Sequence, residues 1–170
     1  MADKRYETLK IENIVASGVI ADSIDLVMVS KKIPSCEQAK RNRGWRSISP
    51  DKAIEQIQKV VDELKPYSIA LADACFGIKP KWRKEFLRKL AEKNFDLWFS
   101  IETHPDLLDE EDVQLLSDLK VEVQFGLESG SPTMLEIMHK VNNPLRYLEH
   151  FEEISCLLSS RKVMHRANLI

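Results

Sequence analysis

The positions of apolar and polar residues predict alternating helices and strands from about residue 50 onward. Ser49-Pro50-Asp51 offers an N-cap and a proline for the first helical turn, and apolar residues then recur at helical spacing until Pro66. A continuous apolar run from Tyr67 to Asp73 follows and is typical of a buried strand. The same alternation predicts helices over residues 81–93, 109–119, 131–138 and 143–158, and strands over residues 95–101, 121–127 and 162–170.

The spacing of these strands indicates the fold class. Their centres, near Ile69, Phe99, Val123 and Met164, are 30, 24 and 41 residues apart. Each interval has room for a helix that returns the chain to the same end of the sheet, as parallel strands require. We therefore expect an α/β fold with four parallel strands and helices between them.

The N-terminal part of the chain follows a different pattern. Residues 8–17 alternate apolar and polar positions before a short apolar run, which predicts a half-buried strand. A cap at Asp22 or Ser23 predicts a short helix over residues 24–33. A strand and a helix alone are too little to fold independently.

A basic run separates the two parts. Between Lys31 and Arg46 six cations stand against one acid, Glu37, in a chain with 25 basic and 27 acidic residues. Such a run is typical of a solvated connector, and it also suits contact with an anion or a phosphate. We predict a domain boundary here, with a strand–helix segment over residues 1–36 and an α/β unit over residues 37–170.

The composition limits the class of protein. The chain has 170 residues, of which 44% are hydrophobic, enough for one packed domain. No apolar run approaches the length of a membrane span, about 18 residues, and the first residues lack the apolar stretch of a signal peptide. The sequence therefore predicts a cytoplasmic protein with no membrane partner.

Three cysteines, Cys36, Cys75 and Cys156, are far apart along the chain. An odd number of distant cysteines argues against a disulfide framework and against a local metal knuckle. Free cysteine is ordinarily a reduced, buried side chain. We therefore expect no metal site from these residues.

Acidic residues stand at the ends of three predicted strands. Asp73, Glu102 and Glu128 occupy these positions, and His104 and Ser129 lie beside them. Because the carboxyl ends of parallel strands meet at one edge of a sheet, we expect these side chains to converge on a shared site. The alternative is that each acid meets solvent or caps the helix that follows.

Glycines flank the last of these acids. Gly126 and Gly130 bracket Glu128 and would let the backbone approach a ligand closely. The sequence has neither the glycine-rich phosphate loop nor the dinucleotide-binding fingerprint. We expect no P-loop or Rossmann nucleotide chemistry.

Four segments carry a resemblance to a known family. They are Arg43-Gly-Trp-Arg-Ser-Ile-Ser-Pro-Asp51, Leu71-Ala-Asp73 with Phe76-Gly77, Glu102-Thr-His-Pro-Asp-Leu-Leu-Asp-Glu-Glu111 and Val123-Gln-Phe-Gly-Leu-Glu-Ser-Gly-Ser-Pro132. These segments resemble the core of radical S-adenosylmethionine (SAM) enzymes, and are most similar to the subgroup that often carries an upstream cobalamin-binding domain. The resemblance covers residues 41–170, and the segment around Glu128 is its most specific part.

This resemblance implies a partial (βα) barrel with helices outside and SAM as a cofactor. Glu128 and Ser129 match the strand-end position that contacts the ribose or methionine part of SAM in the family. Glu102 lies on the neighbouring strand and would face the same cavity. Asp73 would lie nearer the mouth, where the family holds a four-iron four-sulfur cluster. These four residues are the predicted cofactor-binding residues.

The chain departs from the family at the cluster. The family cluster needs three thiolates, usually in the spacing C-x-x-x-C-x-x-C. Cys36 has Lys40 and Arg43 at the second and third positions of that motif, and the chain stops at Ile170 inside the segment that resembles the fifth family strand. We expect a truncated core that retains part of a SAM pocket and lacks the cluster ligands, which leaves its enzymatic activity open.

The last predicted strand is also a natural sheet edge. A partial barrel leaves at least one edge strand unpaired, and an unpaired edge promotes association between chains. We therefore expect self-association at this edge.

The beginning of the chain resembles a second family. Residues 7–36 contain the segments Leu9-Lys-Ile-Glu-Asn-Ile-Val-Ala-Ser17, Asp22-Ser-Ile-Asp-Leu26 and Val29-Ser-Lys-Lys-Ile-Pro34. These segments are similar to the opening strand and first helix of archaeal TATA-box-binding protein. In that family the positions of Asn13 and Val15 face the DNA minor groove. This resemblance implies, as an alternative function, a DNA-binding or transcription-related module that also uses the basic run. A third hypothesis is an inactive chimeric remnant.

Overall fold

A computed structural model describes residues 22–23, 27–28, 46–71, 73 and 75–170. These residues contain a five-stranded sheet in which every neighbouring pair of strands is parallel. In their order across the sheet, the strands are β1 (Asp22–Ser23), β4 (Ser68–Leu71), β5 (Trp98–Thr103), β6 (Val121–Glu128) and β7 (Met164–Leu169). The predicted α/β fold with four parallel strands is confirmed, and the short strand β1 is added at one edge.

Helices connect the successive strands of the parallel sheet. The first three α-helices are α1 (Pro50–Leu64), α2 (Pro80–Lys93) and α3 (Glu110–Ser117), with a short 3-10 helix (Pro105–Leu107) before α3. Two helices, α4 (Pro132–Ile137) and α5 (Pro144–Ser160), lie between β6 and β7. Within the described residues, no helix is long and apolar enough to cross a membrane.

The helix starts follow the local signals in the sequence. The Ser49 side chain caps α1 by accepting a hydrogen bond from the Lys52 N–H at 3.3 Å, and Asn143 caps α5 in the same way through the Arg146 N–H at 3.2 Å. Asp109 and Asp112 form a reciprocal capping box at the start of α3. Such caps satisfy N–H groups that have no partner within the helix.

The prediction of a short helix over residues 24–33 is wrong at residues 27–28, which are the part of this range that the structure describes. Val27–Met28 is strand β2, which pairs antiparallel with β3 (Arg46–Ser47). The proposed caps, Asp22 and Ser23, form β1 and pair with β4, so their backbone belongs to a sheet instead of a helix start. Strand pairing with distant residues has overridden a weak local helix signal.

Other predictions for the N-terminal part fall on residues outside the described ranges. These are the strand over residues 8–17, the DNA-facing positions Asn13 and Val15, the thiol of Cys36 and the domain boundary after residue 36. They stay predictions.

The parallel sheet has one apolar face and one polar face. Along β6, Val121, Val123, Phe125 and Leu127 are buried, while the intervening residues are half-buried. The first three pack with apolar residues of α1, α2, α3 and α5 in one core, whereas Leu127 packs with Leu135 and Tyr147 in a second cluster. We call the opposite side of the sheet the open face. Its paired positions are Ser68, Ala70, Trp98, Ser100, Glu102, Glu122, Gln124, Gly126, Glu128, Met164, Arg166 and Asn168.

Strand β5 is displaced from its predicted bounds. It was expected over residues 95–101, and it starts at Trp98 and continues to Thr103. Glu102 therefore belongs to the strand itself and pairs with Gln124 of β6. Because side chains alternate along a strand, this position places Glu102 on the open face, and the preceding Ile101 faces the core.

A buried ion pair connects α2 to the start of α3. Arg83 and Asp112 have side chains only 1% and 0% exposed. The Arg83 guanidinium donates from Nε to Asp112 Oδ1 at 2.8 Å and from Nη2 to Asp112 Oδ2 at 2.6 Å. Its third nitrogen, Nη1, donates to the Gly77 carbonyl at 2.5 Å. One side chain thus fixes two helices and the loop after β4.

Backbone contacts hold the loop after β4 against the end of β5. The Phe76 N–H donates to the Glu102 carbonyl at 2.6 Å, and the Thr103 hydroxyl donates to the Phe76 carbonyl at 3.0 Å. Gly77 has a φ of +70°, and a Cβ there would lie 2.5 Å from Arg83 Cδ. Only glycine fits this conformation and this close approach.

Replacing Arg83 with methionine is expected to destabilise the protein by about 3–5 kcal/mol, because it leaves the Asp112 carboxylate buried without its cation. Urea unfolding followed by circular dichroism measures this loss. Arg88→Met is the matched control, since Arg88 forms an ion pair with Glu111 in which both side chains are about half exposed, and exposed pairs contribute little. Equal stability losses in the two variants would contradict the role assigned to Arg83.

Candidate functional site

Three charged side chains converge over one glycine on the open face. A Cβ built on Gly126 would lie 3.3 Å from Glu128 Oε1, 3.5 Å from Lys140 Nζ and 3.9 Å from Glu102 Oε1. Two of these groups, Glu102 and Glu128, were predicted from the sequence as site residues, and the structure brings them together. The absence of a side chain at Gly126 leaves bare backbone beneath three charges, where a ligand can approach closely.

Glu128 and Lys140 form a partly buried ion pair. Lys140 Nζ lies 3.1 Å from Glu128 Oε1, and the two side chains are 11% and 23% exposed. Sequence analysis missed Lys140, which lies just after α4 and whose N–H donates to the Leu135 carbonyl at 3.0 Å. Lys140 follows Glu128 by twelve residues in the sequence. Because this separation matches no periodicity of a helix or a strand, it does not predict that the two side chains meet.

The backbone at Glu128 is unusual for a glutamate. Its φ is +70°, in the left-handed region that residues with a side chain rarely adopt. The register between β6 and β7 shifts between Gly126 and Glu128, so β6 carries an extra residue there. Bulges of this kind redirect a side chain at the end of a strand, and strained conformations concentrate at functional sites.

The charge of Glu102 depends on its two charged neighbours. Loss of solvation raises the pKa of Glu102 above its ordinary value, the nearby Glu128 raises it further, and Lys140 opposes both effects. One lysine is therefore shared between two carboxylates. The arrangement has a formal charge of −1 when both acids are ionised, and an added cation would relieve the remaining repulsion.

A tyrosine and a histidine form a wall beside Gly126. The Tyr147 hydroxyl donates to the Gly126 carbonyl at 3.1 Å, and its ring lies 4.8 Å from the ring of His104. Burial raises the pKa of Tyr147, and the nearby carboxylates of Asp106 and Glu128 raise it further. The hydroxyl therefore stays protonated and acts as a fixed hydrogen-bond donor to the backbone of the site.

Sequence analysis named His104 as a strand-end candidate and missed Tyr147. His104 Nδ1 lies 3.6 Å from Asp106 Oδ2, which helps to orient the ring. Tyr147 does carry a sequence signal, because it precedes Phe151 by four residues and shares the apolar face of α5.

Asp73 and Ser129 occupy other parts of this sheet edge. Asp73 is 2% exposed in the loop after β4, and it is not among the three nearest groups to Gly126. The Ser129 hydroxyl oxygen accepts a hydrogen bond from the Ser131 N–H at 3.1 Å, which shapes the turn into α4. Its hydroxyl proton can still be donated to a ligand.

Further polar groups continue from the site along the open face. Gln124 Nε2 donates to Ser100 Oγ at 2.7 Å and to Glu122 Oε2 at 3.1 Å. Arg166 Nε lies 3.5 Å from Glu122 Oε1. The open face is thus a connected polar surface, with the Gly126 site at the carboxyl ends of β5 and β6.

Within the described ranges, no group of three histidine, cysteine or acidic side chains is placed to hold a metal ion. Cys75 is half-buried in the loop after β4, and Cys156 is exposed on α5. The donor set of the described part of the chain therefore does not fit a cluster held by three thiolates.

Comparisons with known proteins identify the family. A family model described as the radical SAM superfamily matches residues 28–157. No curated protein sequence matches the chain. The matched segment includes the residues around Gly126 on β6, the Lys140 turn and Tyr147.

Solved structures of cobalamin-dependent or SAM-dependent radical enzymes share the fold. One is the cobalamin-dependent S-adenosylmethionine radical enzyme OxsB with aqua-cobalamin bound, with a TM-score of 0.72, 17% identity, and coverage of 87% of this chain and 23% of that one. Another is the radical S-adenosylmethionine methyltransferase TsrM from Kitasatospora setae with cobalamin and a [4Fe-4S] cluster, with a TM-score of 0.62, 15% identity, and coverage of 74% and 26%.

TsrM with its tryptophan substrate and a SAM analogue gives a similar match, with a TM-score of 0.61, 15% identity, and coverage of 73% of this chain and 25% of that one. The chain thus spans about a quarter of the length of these solved proteins. Because the family model matches about three quarters of the sequence, from β2 through most of α5, the chain belongs to the radical SAM superfamily.

Proposed function

We propose that this chain is a radical SAM-type core that binds SAM at the Gly126 site. The observation that carries the proposal is the convergence of Glu102, Glu128 and Lys140 over bare backbone at the carboxyl ends of two parallel strands. SAM offers matching chemistry, since its methionine end has an ammonium and a carboxylate and its sulfonium adds a second positive charge. The predicted SAM-binding residues lie within the segment that the family model matches, residues 28–157.

Each charged group has a distinct role in this proposal. Lys140 is the cation for the methionine carboxylate, and Glu128 and Glu102 receive the ammonium and face the sulfonium. Charge-assisted hydrogen bonds of this kind are stronger than neutral ones. Gly126 lets the ligand approach the backbone, and Tyr147 holds the Gly126 carbonyl from the opposite side.

Ser129 and Asp73 complete the proposed pocket at its margins. The Ser129 hydroxyl donates to a ribose or carboxylate oxygen while its own oxygen keeps the bond from the Ser131 N–H. Asp73 lies in the loop after β4, which contacts the end of β5 through Phe76. This contact supports a position for Asp73 next to the pocket and not inside it.

We propose that this chain by itself does not bind the iron–sulfur cluster of the family. The sequence lacks the three-cysteine spacing at Cys36, and the described cysteines, Cys75 and Cys156, do not form a donor group with other side chains. SAM binding is therefore proposed without the reductive chemistry of the family. The nucleic-acid alternative depends on Asn13, Val15 and the basic run, and no observation on the described residues favours it.

Glu128→Gln and Lys140→Met are each expected to weaken SAM binding about tenfold or more, because each removes one charged partner of the ligand. Isothermal titration calorimetry with the purified chain measures the dissociation constants. Glu136→Gln and Lys120→Met are matched controls, since they make the same exchanges at exposed positions on α4 and before β6. SAM affinity that is unchanged in both site variants would contradict the proposed pocket.

SAM affinity is expected to increase as the pH rises through the raised pKa of Glu102, which lies above the ordinary 4.5. A bound cation favours the ionised carboxylate, so binding at lower pH must first release the Glu102 proton. Calorimetric titrations over the acidic range measure this dependence. Glu102→Gln should flatten the pH profile, and an identical profile in the variant would assign the titration to another group.

Anaerobic reconstitution with iron and sulfide is expected to leave the chain without stoichiometric four-iron cluster absorbance, because the sequence lacks the family's three-cysteine spacing after Cys36. The double variant Lys40→Cys/Arg43→Cys restores the family spacing after Cys36 and serves as the positive control. Stable cluster absorbance in the unaltered chain would show that its cysteines assemble a donor set by another route.

A further inference from the structure

The hydrogen bonds between β5 and β6 lead toward a proline. The Phe99 N–H donates to the Lys120 carbonyl at 2.8 Å, where the pairing of these parallel strands begins. Donors along a parallel strand recur every second residue. Six residues further along each strand, the same pattern brings Pro105 opposite the Gly126 carbonyl. Proline has no N–H, so at this place the chain after β5 has no backbone donor to offer.

The hydroxyl of Tyr147 takes the place of that donor. It reaches the Gly126 carbonyl from α5 and donates to it at 3.1 Å. The tyrosine is only 2% exposed, and its ring lies 4.8 Å from the ring of His104, the residue before Pro105. Because a partly buried backbone carbonyl needs a donor, the hydroxyl continues a row of hydrogen bonds that the sequence of the chain interrupts.

Tyr147 also contacts the residue that follows Gly126. Leu127 packs with Leu135 and Tyr147 in the second apolar cluster. The register between β6 and β7 shifts between Gly126 and Glu128, so Leu127 is the residue that the bulge leaves out of the pairing. One tyrosine thus fixes two consecutive residues of the bulge, Gly126 through its carbonyl and Leu127 through its side chain.

The conformation of Glu128 depends on this bulge. Its φ of +70° lies in a region that residues with a side chain rarely adopt. Such a conformation persists only where the surrounding structure determines it. The contact between Glu128 Oε1 and Lys140 Nζ, at 3.1 Å, therefore depends on how the two preceding residues are held.

We infer that Tyr147 is a positioning residue, whose hydroxyl fixes the Gly126 peptide in place of the donor missing at Pro105 and thereby directs Glu128 toward Lys140. Tyr147 acts through the backbone of β6 and not on SAM itself. The effect on SAM binding rests on the proposed function, whereas the direction of the Glu128 side chain can be measured without SAM.

Tyr147→Phe removes the hydroxyl and keeps the buried ring. The measurement is the pKa of Glu102 in the ligand-free chain, followed by NMR of its carboxyl carbon. Glu128 raises this pKa and Lys140 lowers it, so a Glu128 that turns away leaves the pKa of Glu102 closer to the ordinary 4.5. Under the proposed function, the dissociation constant of SAM should also rise about fivefold.

Ile154→Val is the matched control for stability. Ile154 is buried on the same helix, α5, in the main core, and the loss of one methyl group there destabilises the fold without a change at Gly126. Both the pKa of Glu102 and the SAM affinity should stay as in the unaltered chain.

A second variant tests the place assigned to the hydroxyl. Tyr147→Phe/Pro105→Ala restores a backbone N–H opposite the Gly126 carbonyl, and we expect it to recover part of the shift in the pKa of Glu102. No recovery would contradict the assignment of the hydroxyl to the place of the Pro105 donor.

An unchanged pKa of Glu102 in Tyr147→Phe would overturn the inference, whether or not SAM binds. So would an equal shift in Ile154→Val, or a full further shift when Tyr147→Phe is added to Glu128→Gln, because the hydroxyl would then act by another route. A chain that shows the pKa shift and binds no SAM would support the positioning role and refute the proposed function alone.

Discussion

The buried ion pair between Arg83 and Asp112 is the interaction on which the arrangement of the site depends. Arg83 uses all three guanidinium nitrogens, two on Asp112 and one on the Gly77 carbonyl. Asp112 in turn closes the capping box that starts α3. A planar fork with fixed geometry can define the relative positions of two helices and a loop, which a flexible ammonium cannot do. The loop after β4 therefore meets the end of β5 at a defined place.

The candidate site follows from the period of two along the strands. The buried residues of β6 pack under the helices, and this packing forces Glu122, Gln124, Gly126 and Glu128 onto the open face. Core packing thus decides which polar groups share a surface, although none of them contributes to the core. The bulge after Gly126 then turns Glu128 toward Lys140. The core and the candidate site are in this way specified by alternate residues of the same strand.

Features with a local cause could be predicted from the sequence. The start of α1 at Ser49-Pro50, the order of helices and strands and the acids at strand ends depend on neighbours a few residues away. Lys140 could not be predicted, because its partner Glu128 lies across a helix and is oriented by a bulge. Val27–Met28 was assigned to the wrong element because its partner, Arg46–Ser47, is distant in sequence. In both cases the structure depends on contacts that no local pattern contains.

The ion pair between Glu128 and Lys140 also sets a thermodynamic constraint on any charged ligand. Before a ligand arrives, each of the two side chains already has its counter-charge 3.1 Å away. Binding is therefore an exchange, in which one ion pair is broken while new ones form, and the Coulomb gain is a difference between similar quantities. A simple anion gains little from this exchange, because it takes the place of one carboxylate and still faces Glu102. Under the proposed function, a zwitterion has the advantage that it replaces both halves of the pair at once.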